Sequence, residues 1–286
     1  MRLRDGFALT KFTISAFSAL SAGAGFAAAR HALGGGVPLA ALLPLGAGTL
    51  LLAMGASAFN EVLERDLDAR MRRTRDRPVA RGALGPWAAC AIATALCGAG
   101  AAVLGRGLGP LPQMLGLAAL GWYVLVYTPL KRRSPYAVVP GALIGALPPA
   151  MGWTAAGGGP VEAPILAIGL VFFLWQVPHF WMLALLHGQD YAAAGLPTPL
   201  VRLEARAVRR LAFAWACGTA IACLLLPATG VVARPLGLAI LGAGACLWVL
   251  RTAPLLGAFP GPRTVRRAFG DSNLFILEVM AALALG

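Results

Sequence analysis

The chain has 286 residues, of which 59% are hydrophobic and only 12% are charged, with a mean hydropathy of +0.76. Because a soluble domain carries about 25% charged residues, this composition excludes a soluble globular protein and indicates an integral membrane protein. The formal net charge of +13 does not indicate nucleic acid as a partner, since the arginines lie in short segments between apolar runs.

Nine apolar runs approach the length needed to cross a bilayer, which is about 20 residues per helix. They predict an all-α fold: a polytopic membrane helical bundle of about nine transmembrane helices, formed by one domain over residues 1–286. The first run also has the character of a secretory signal peptide, an alternative whose cleavage would leave the arginine pattern one span short. The predicted spans are residues 7–29, 38–59, 86–104, 111–130, 136–156, 163–186, 208–226, 236–256 and 269–285.

Basic residues are concentrated in alternate loops. The N-terminal segment carries Arg2, Arg4 and Lys11, and the loops after spans two, four, six and eight are also rich in Lys and Arg. The positive-inside rule therefore predicts that the N-terminus and the even-numbered loops are cytoplasmic. The remaining loops carry only Arg30, Arg106 and Arg234.

The stretch 59–81, FNEVLERDLDARMRRTRDRPVAR, is the most polar part of the chain. In a helix, Asn60, Glu64 and Asp68 would lie along one face, and Arg72 and Asp76 would extend the same row. A carboxamide and two carboxylates form an oxygen-only site. Such a site suits Mg²⁺, which is typically held by one or two carboxylates together with substrate phosphates.

The same spacing also predicts a ladder of surface salt bridges, each worth about 0.2–0.5 kcal/mol on a solvated helix. Spacing alone leaves the metal site and the ladder as alternatives. Position favours the site, because Asn60 and Glu64 directly follow an apolar run, where acidic groups are costly and indicate function. The ladder would consist of the pairs Glu61–Arg65, Asp66–Arg70, Asp68–Arg72 and Arg72–Asp76.

Span six contains polar residues within an apolar run. Gln176 and His179 flank Pro178, which we expect to kink the helix and free backbone carbonyls, so that the two polar side chains line a cavity. An interhelical hydrogen bond from His179 is the plainer alternative. Asp190 follows at the cytoplasmic end of the same span.

Together these residues predict a site for an allylic diphosphate with a long isoprenoid tail in the apolar interior. Metal and cations would stabilise the departing diphosphate while an electron-rich acceptor captures the carbocation. The predicted catalytic residues, which are also the Mg²⁺ ligands, are Asn60, Glu64, Asp68 and Asp190. The predicted diphosphate-binding residues are Lys11, Arg72, Lys131 and Arg132, and the predicted acceptor-binding residues are Gln176 and His179.

Four motifs in order carry a family resemblance. The stretch NEVLERDLDARMRRTRDRP resembles the first aspartate-rich motif of the UbiA-type intramembrane prenyltransferases, and its ending R-T-x-x-R-P is typical of the haem O synthase branch. The similarity runs from about residue 9 to 199. The other motifs are ALTKFTIS, YTPLKRRSPYAVVPGALIGALPPAMGW, and WQVPHF followed by DYAAAGLP.

The resemblance implies a nine-helix bundle around a central cavity open toward the cytoplasm, in a bacterial inner membrane. It implies farnesyl transfer from farnesyl diphosphate to a vinyl carbon of haem b, giving haem O. The resemblance matches Asn60, Glu64 and Asp68 to the metal motif and Asp190 to the family's second acidic motif. It also matches Lys131 to the diphosphate lysine and His179 to the PHF histidine. Haem A synthase and oxidase assembly proteins are expected partners.

Three positions depart from the family pattern. Glu64 stands where aspartate is usual, Gln189 where an acidic residue is common before Asp190, and Phe12 where a proline usually follows Leu-Thr-Lys. Because the second acidic motif keeps only one carboxylate, these departures bear on the number of metal ions.

Two other functions remain as alternatives. One is prenyl transfer to an aromatic quinone precursor by the same superfamily chemistry, against which the Trp-Gln-x-Pro-His-Phe stretch argues. The other is a membrane transporter with a polar gate, which would predict broken spans in matched halves of an internal repeat.

Overall fold

A computed structural model of the chain describes residues 3–35, 38–258 and 260–286. Arg2, one of the basic residues on which the predicted cytoplasmic position of the N-terminus rests, lies outside these ranges. Over the described residues the predicted all-α bundle is confirmed: every regular element is helical, and nine helices are long and apolar enough to span a membrane. These are α1 Phe12–Ala32, α2 Leu42–Asp68, α3 Pro86–Leu108, α4 Pro110–Leu130, α5 Val138–Ala155, α6 Ala163–Ala193, α7 Ala205–Ala228, α8 Pro235–Leu256 and α9 Pro262–Leu285.

The start of the first span differs from its predicted position. A separate short helix, Leu3–Thr10, precedes α1, and Lys11 joins the two with a left-handed backbone (φ 45°). A non-glycine residue held in this conformation stores about 1–3 kcal/mol of strain and persists only where its surroundings fix it. Lys11 is therefore held at the boundary between two helices.

The second helix extends beyond its predicted end and continues to Asp68. Asn60, Glu64 and Asp68 are therefore on one helix, as the spacing predicts. The expectation that Arg72 and Asp76 extend this row was wrong, because the helix ends at Asp68 and both residues lie in the turns that follow. The backbone reverses there: Thr74 Oγ1 donates a hydrogen bond to the Asp68 carbonyl (3.1 Å).

The nine helices form a closed ring in chain order. Each helix packs against the next, and α9 returns to pack against α1 and α6. Across the ring, α1 also packs on α5 at unusually short range. A Cβ atom added to Gly25 would overlap the carbonyl group of Pro149, and one added to Gly152 would overlap the carbonyl of Ala22. Small residues allow such close backbone approach in membrane bundles.

The polar helix ends lie together on one face of the bundle. Contacts join the start of α1 to α2 (Lys11 to Asn60), the end of α4 to α2 (Lys131 to Glu64) and the segment after α2 to the end of α6 (Arg72 to Asp190). The alternation of basic loops predicts this grouping. From this face a cavity of about 680 Å³ extends into the apolar interior.

Gly25→Ala or Gly152→Ala should destabilise the bundle. The new methyl group meets backbone atoms that cannot rotate away, and such overpacking costs about 1–3 kcal/mol or more. We expect the melting temperature in detergent to fall by about 2–4 °C per kcal/mol lost. Gly23→Ala is the matched control on α1, because a Cβ at Gly23 has no neighbour within 4 Å. Equal melting temperatures for all three variants would contradict the close α1–α5 contact.

Candidate active site

The acidic face predicted on α2 is buried and faces the cavity. Asn60, Glu64 and Asp68 are 1%, 5% and 1% exposed and all line the cavity at the polar face of the bundle, which we call its polar end. They occupy the C-terminal end of α2, where the helix dipole is negative. Two carboxylates buried at this position require positive partners.

Three cations from three different segments supply those partners. Lys11 Nζ donates a hydrogen bond to Asn60 Oδ1 (2.7 Å), and Lys131 Nζ lies 2.5 Å from Glu64 Oε1. Arg77 Nη1 donates to Asp68 Oδ2 (2.6 Å). Each oxygen ligand predicted on α2 is therefore matched to one basic side chain.

These contacts overturn the salt-bridge ladder. Among the described residues none of its four i,i+4 pairs forms a salt bridge, since Asp68 pairs with Arg77 and Arg72 pairs with Asp190. Asp66 has an exposed side chain that forms an ion pair with its chain neighbour Arg65 at 3.4 Å. The polar face of α2 is thus an interior surface and not a solvated one.

One carboxylate oxygen on α2 remains available to bind a metal ion. Asp68 Oδ1 is buried and has no hydrogen-bond partner among the described residues. No group of three or more His, Cys, Asp and Glu side chains there is placed to hold a metal alone. An ion at this site would thus draw on Asn60 as well as two carboxylates, together with substrate oxygens. Oxygen-only donors of this kind suit Mg²⁺.

Burial lowers the pKa of Lys11 to about 7. The nearby positive charges of Arg77 and Lys131 act in the same direction, while the carboxylates of Glu64 and Asp68 oppose them. Lys11 therefore donates to Asn60 from an environment that disfavours its charge, and an anion bound beside it would favour that charge again.

Glu61 holds the segment after α2 in place. Its side chain is fully buried, and its Oε1 accepts a hydrogen bond from the backbone N–H of Val79 (2.9 Å). The segment between them carries Arg73 and Arg77, both of which line the cavity. The hydrogen bond between Glu61 and Val79 therefore restricts the positions that the Arg73 and Arg77 guanidinium groups can reach.

Farther from the polar end, the cavity walls are apolar and aromatic. Gln176 and His179 line this part, as predicted. His179 also forms the interhelical hydrogen bond of the plainer alternative, from Nδ1 to Ser272 Oγ (3.2 Å), and its ring centroid lies 4.5 Å from that of Phe269. Over the whole cavity, including the polar end beside Lys131 and Arg73, the aromatic lining consists of Phe17, Tyr123, Tyr127, Phe172, Trp175, Phe180, Trp181, Tyr191 and Phe269.

The sequence predicts a kink of α6 at Pro178, but the kink that the structure shows lies farther along the helix. The residues around Pro178 keep helical dihedral angles, and the residue that departs from them within α6 is His187 (φ −121°, ψ 24°). The irregular turn therefore lies just before Asp190. It shapes the end of the helix and not the level of His179.

Three of the predicted site residues lie outside the cavity lining. Asp190 Oδ1 accepts a weak contact from Arg72 Nε (3.4 Å) at a separate small recess, where Arg72 is 75% exposed. Arg132 is exposed and donates to the Leu63 carbonyl. The structure thus brings together Lys11, Asn60, Glu64, Asp68, Lys131, Gln176 and His179, and sets Arg72, Arg132 and Asp190 beside them.

Comparison with known proteins identifies the family. The model of the UbiA prenyltransferase family matches residues 16–269. The chain belongs to the UbiA prenyltransferase family. A protoheme IX farnesyltransferase of Geobacter sulfurreducens is 44% identical over 262 residues, which cover 91% of this chain and 92% of the relative.

Solved UbiA-type structures share the fold. A digeranylgeranylglyceryl phosphate synthase superimposes with a TM-score of 0.78 at 13% identity, over 99% of this chain and 98% of its own. A UbiA homologue from Archaeoglobus fulgidus bound to GPP and Mg²⁺ gives a TM-score of 0.69 at 15% identity, over 98% of this chain and 99% of its own. At these identities the likeness establishes the architecture of this UbiA-family chain.

The family departures have local explanations. Phe12 is the first residue of α1, a position where proline is also accepted because the N–H there has no partner within the helix. The longer Glu64 side chain still reaches Lys131. Gln189 lies with Asp190 at the separate recess, away from the acidic face of α2.

Several cavity residues of this UbiA-family protein are not among those predicted from the sequence. Arg73 and Arg77 are the two arginines of the R-T-x-x-R-P ending, so the motif itself was the signal. Tyr123 and Tyr127 lie one turn apart just before Lys131, and Tyr191 follows Asp190. Aromatic residues beside charged motifs could have indicated them.

Removing the Glu61 carboxylate should make the segment after α2 more mobile, because the hydrogen bond to Val79 is lost. In Glu61→Ala the buried Val79 N–H loses its acceptor, which costs about 1–3 kcal/mol, so hydrogen exchange at Val79 should accelerate at least about fivefold. Glu61→Gln keeps a side-chain oxygen and should stay close to the wild-type protein. Glu64→Ala is the control on the same helix, because Glu64 contacts Lys131 instead. An unchanged rate of hydrogen exchange at Val79 in Glu61→Ala would contradict the role of Glu61 in holding this segment.

Proposed function

We propose that this UbiA-family enzyme transfers a farnesyl group from farnesyl diphosphate to a vinyl group of haem b, forming haem O, with residues 1–286 acting as one integral-membrane domain. The observation that carries the proposal is the 44% identity, over 91% of the chain, to a protoheme IX farnesyltransferase. The cavity supports it physically, because a charged polar end adjoins an apolar interior, as a diphosphate with an isoprenoid tail requires.

The diphosphate binds at the polar end of the cavity. Lys11, Arg77 and Lys131 already direct their charged groups to that end, and Arg73 lines it as well. Arginine binds phosphate oxygens in bidentate fashion and lysine as a point charge. Arg72 and Arg132, which lie outside the lining, are expected to act on the approaching substrate through longer-range attraction.

Asn60, Glu64 and Asp68 are proposed to hold Mg²⁺. Asp190, the fourth predicted ligand, lies at the separate recess beside Arg72, and its part in metal binding stays a prediction. The oxygen-only donor set and the unpartnered Asp68 Oδ1 fit a hard cation. When bound, the ion neutralises charge on the leaving diphosphate. Mg²⁺ is present in the structure of the Archaeoglobus fulgidus homologue.

The reaction begins as the allylic carbon–oxygen bond breaks and its electron pair leaves with the diphosphate. The basic side chains stabilise this developing charge in a site that is largely shielded from water, where such contacts are strong. The apolar walls hold the farnesyl chain and exclude water from the carbocation. The π electrons of the vinyl group then form the new carbon–carbon bond, which leaves a carbocation on the vinyl carbon next to the haem ring. A water molecule adds to that carbon and loses a proton, which gives the hydroxyl-bearing side chain of haem O.

The acceptor occupies the part of the cavity lined by aromatic residues, with His179 and Gln176 holding it. Gln176 Oε1 is buried without a hydrogen-bond partner among the described residues, so it can accept a bond from a ligand. Prenyl transfer to an aromatic quinone precursor is the second candidate, but the curated relatives do not favour it. Membership of a prenyltransferase family argues against the alternative function as a transporter.

The protein is a multi-pass membrane protein, and we place it in a bacterial inner membrane with the polar end of the cavity facing the cytoplasm. The support is the concentration of Lys and Arg at that face. An association with haem A synthase or oxidase assembly proteins stays a prediction.

Expression in a bacterial host that lacks its own haem O synthase tests the proposed function. Extracted haems, analysed by mass spectrometry, should contain haem O when the wild-type chain is present. Asp68→Asn and Glu64→Gln should abolish it, because each removes a charge at the proposed metal site while keeping side-chain size.

Asp66→Asn is the matched control on α2. Asp66 has an exposed side chain that forms an ion pair with Arg65, so the loss of its charge should cost under about 1 kcal/mol and leave product formation unchanged. Prenylated quinone precursors without haem O would favour the second candidate. Normal haem O formation by a folded Asp68→Asn variant would remove Asp68 from the reaction.

His179 should contribute to haem binding as well as to packing. His179→Ala should weaken haem binding measured by absorbance, because the variant removes the cavity-facing imidazole. Ser272→Ala separates the two roles, since it removes the partner on α9 and leaves the imidazole in place. It should lower the melting temperature with little change in haem affinity. Unchanged haem affinity in His179→Ala with a lower melting temperature would make His179 a packing residue.

A further inference from the structure

The orientation of the Asn60 carboxamide decides which of its atoms faces the polar end of the cavity. A carboxamide has an oxygen acceptor at one side and an NH₂ donor at the other. The charged ammonium form of Lys11, which a bound anion favours, can only donate, so the group 2.7 Å from Nζ must be Oδ1. On the opposite side, Asn60 Nδ2 donates to Thr128 Oγ1 (3.3 Å).

The hydroxyl group of Thr128 has its single proton already committed. It donates to the carbonyl of Tyr123 (2.9 Å), five residues earlier. The backbone N–H of Thr128 points to the same carbonyl, as expected for the π-helical turn Trp122–Tyr127 that precedes Pro129. With its proton used in this way, Thr128 Oγ1 can only accept from its neighbour.

The two constraints agree. Thr128 Oγ1 must face an NH₂ group, and Lys11 must face an oxygen, so the carboxamide has one satisfactory orientation. Both Asn60 and Thr128 are 1% exposed, so water is not freely available to satisfy a reversed amide. Thr128 itself is absent from the cavity lining among the described residues.

We infer that Thr128 is a positioning residue that holds Asn60 Oδ1 toward the metal and diphosphate site. This inference rests on the proposed function, in which Asn60 Oδ1 is a metal ligand. The π-helical turn contributes by presenting the Tyr123 carbonyl to the Thr128 hydroxyl. A reversed amide would direct its NH₂ group, a donor, at the cation.

Thr128→Val keeps the shape of the side chain and removes the hydroxyl group. Partners that orient a metal ligand typically contribute about 10- to 100-fold in metal affinity, and we expect a loss of that order. The probe is Mn²⁺ with inorganic pyrophosphate, and free Mn²⁺ is measured by electron paramagnetic resonance on the full-length protein in detergent. Thr128→Ser restores the hydroxyl group and should restore affinity.

An Asn60→Asp background distinguishes orientation from general damage. A carboxylate has oxygens on both sides, so Thr128→Val should cause no further loss of Mn²⁺ affinity there. An equal loss in both backgrounds would overturn the inference, as would wild-type affinity in a folded Thr128→Val variant. If the valine variant does not fold, Thr128→Ala removes the same hydroxyl group and is judged by the same outcomes.

Failure of the proposed metal site is distinguishable from failure of this inference. If Asn60→Ala leaves Mn²⁺ affinity unchanged, Asn60 is not a ligand and the proposed site is wrong at that residue. If Asn60→Ala weakens binding and Thr128→Val does not, only the positioning role of Thr128 is lost.

Discussion

Two carboxylates buried at the C-terminal end of a membrane-spanning helix set the main constraint on this structure. Glu64 and Asp68 face the negative end of the α2 dipole in a medium that penalises charge. Lys131 and Arg77 neutralise them, and Lys11 bonds to Asn60 beside them. Because these cations come from the end of α4, the segment after α2 and the start of α1, the ion pairs also fix how those segments meet.

Hydropathy and charge predicted the spans and their grouping but not every helix boundary. No glycine or proline follows Asp68 until Pro78. Helical spacing alone therefore predicted that the row of polar residues on α2 continues through Arg72 and Asp76. The helix ends instead where Thr74 bonds to the Asp68 carbonyl and Val79 bonds to Glu61. The first contact belongs to the local turn and the second joins residues 18 apart in the chain, and side-chain spacing within a helix carries no information about either.

The predicted site residues lie together most clearly where one helix determines their geometry. The row on α2 followed from helical spacing, and Lys131, Gln176 and His179 also line the cavity. The sequence could not distinguish the arginines that line the cavity from those at the surface, because basic residues at the same membrane face serve topology as well as binding. Burial separates them: the Arg77 side chain is 19% exposed against Asp68, whereas Arg72 is 75% exposed.

The segment before Lys131 joins the charged and apolar halves of the cavity. Tyr127 lines the wall with its ring centroid 5.5 Å from Lys131 Nζ, a distance at which an aromatic face attracts a cation. The next residue, Thr128, turns the other way and contacts Asn60. One irregular turn of α4 therefore supplies an aromatic wall, a basic group and a hydrogen bond to the acidic helix. A widened turn before a proline is tolerated in a membrane helix only if its freed backbone groups find partners, and the Tyr123 carbonyl finds one in Thr128.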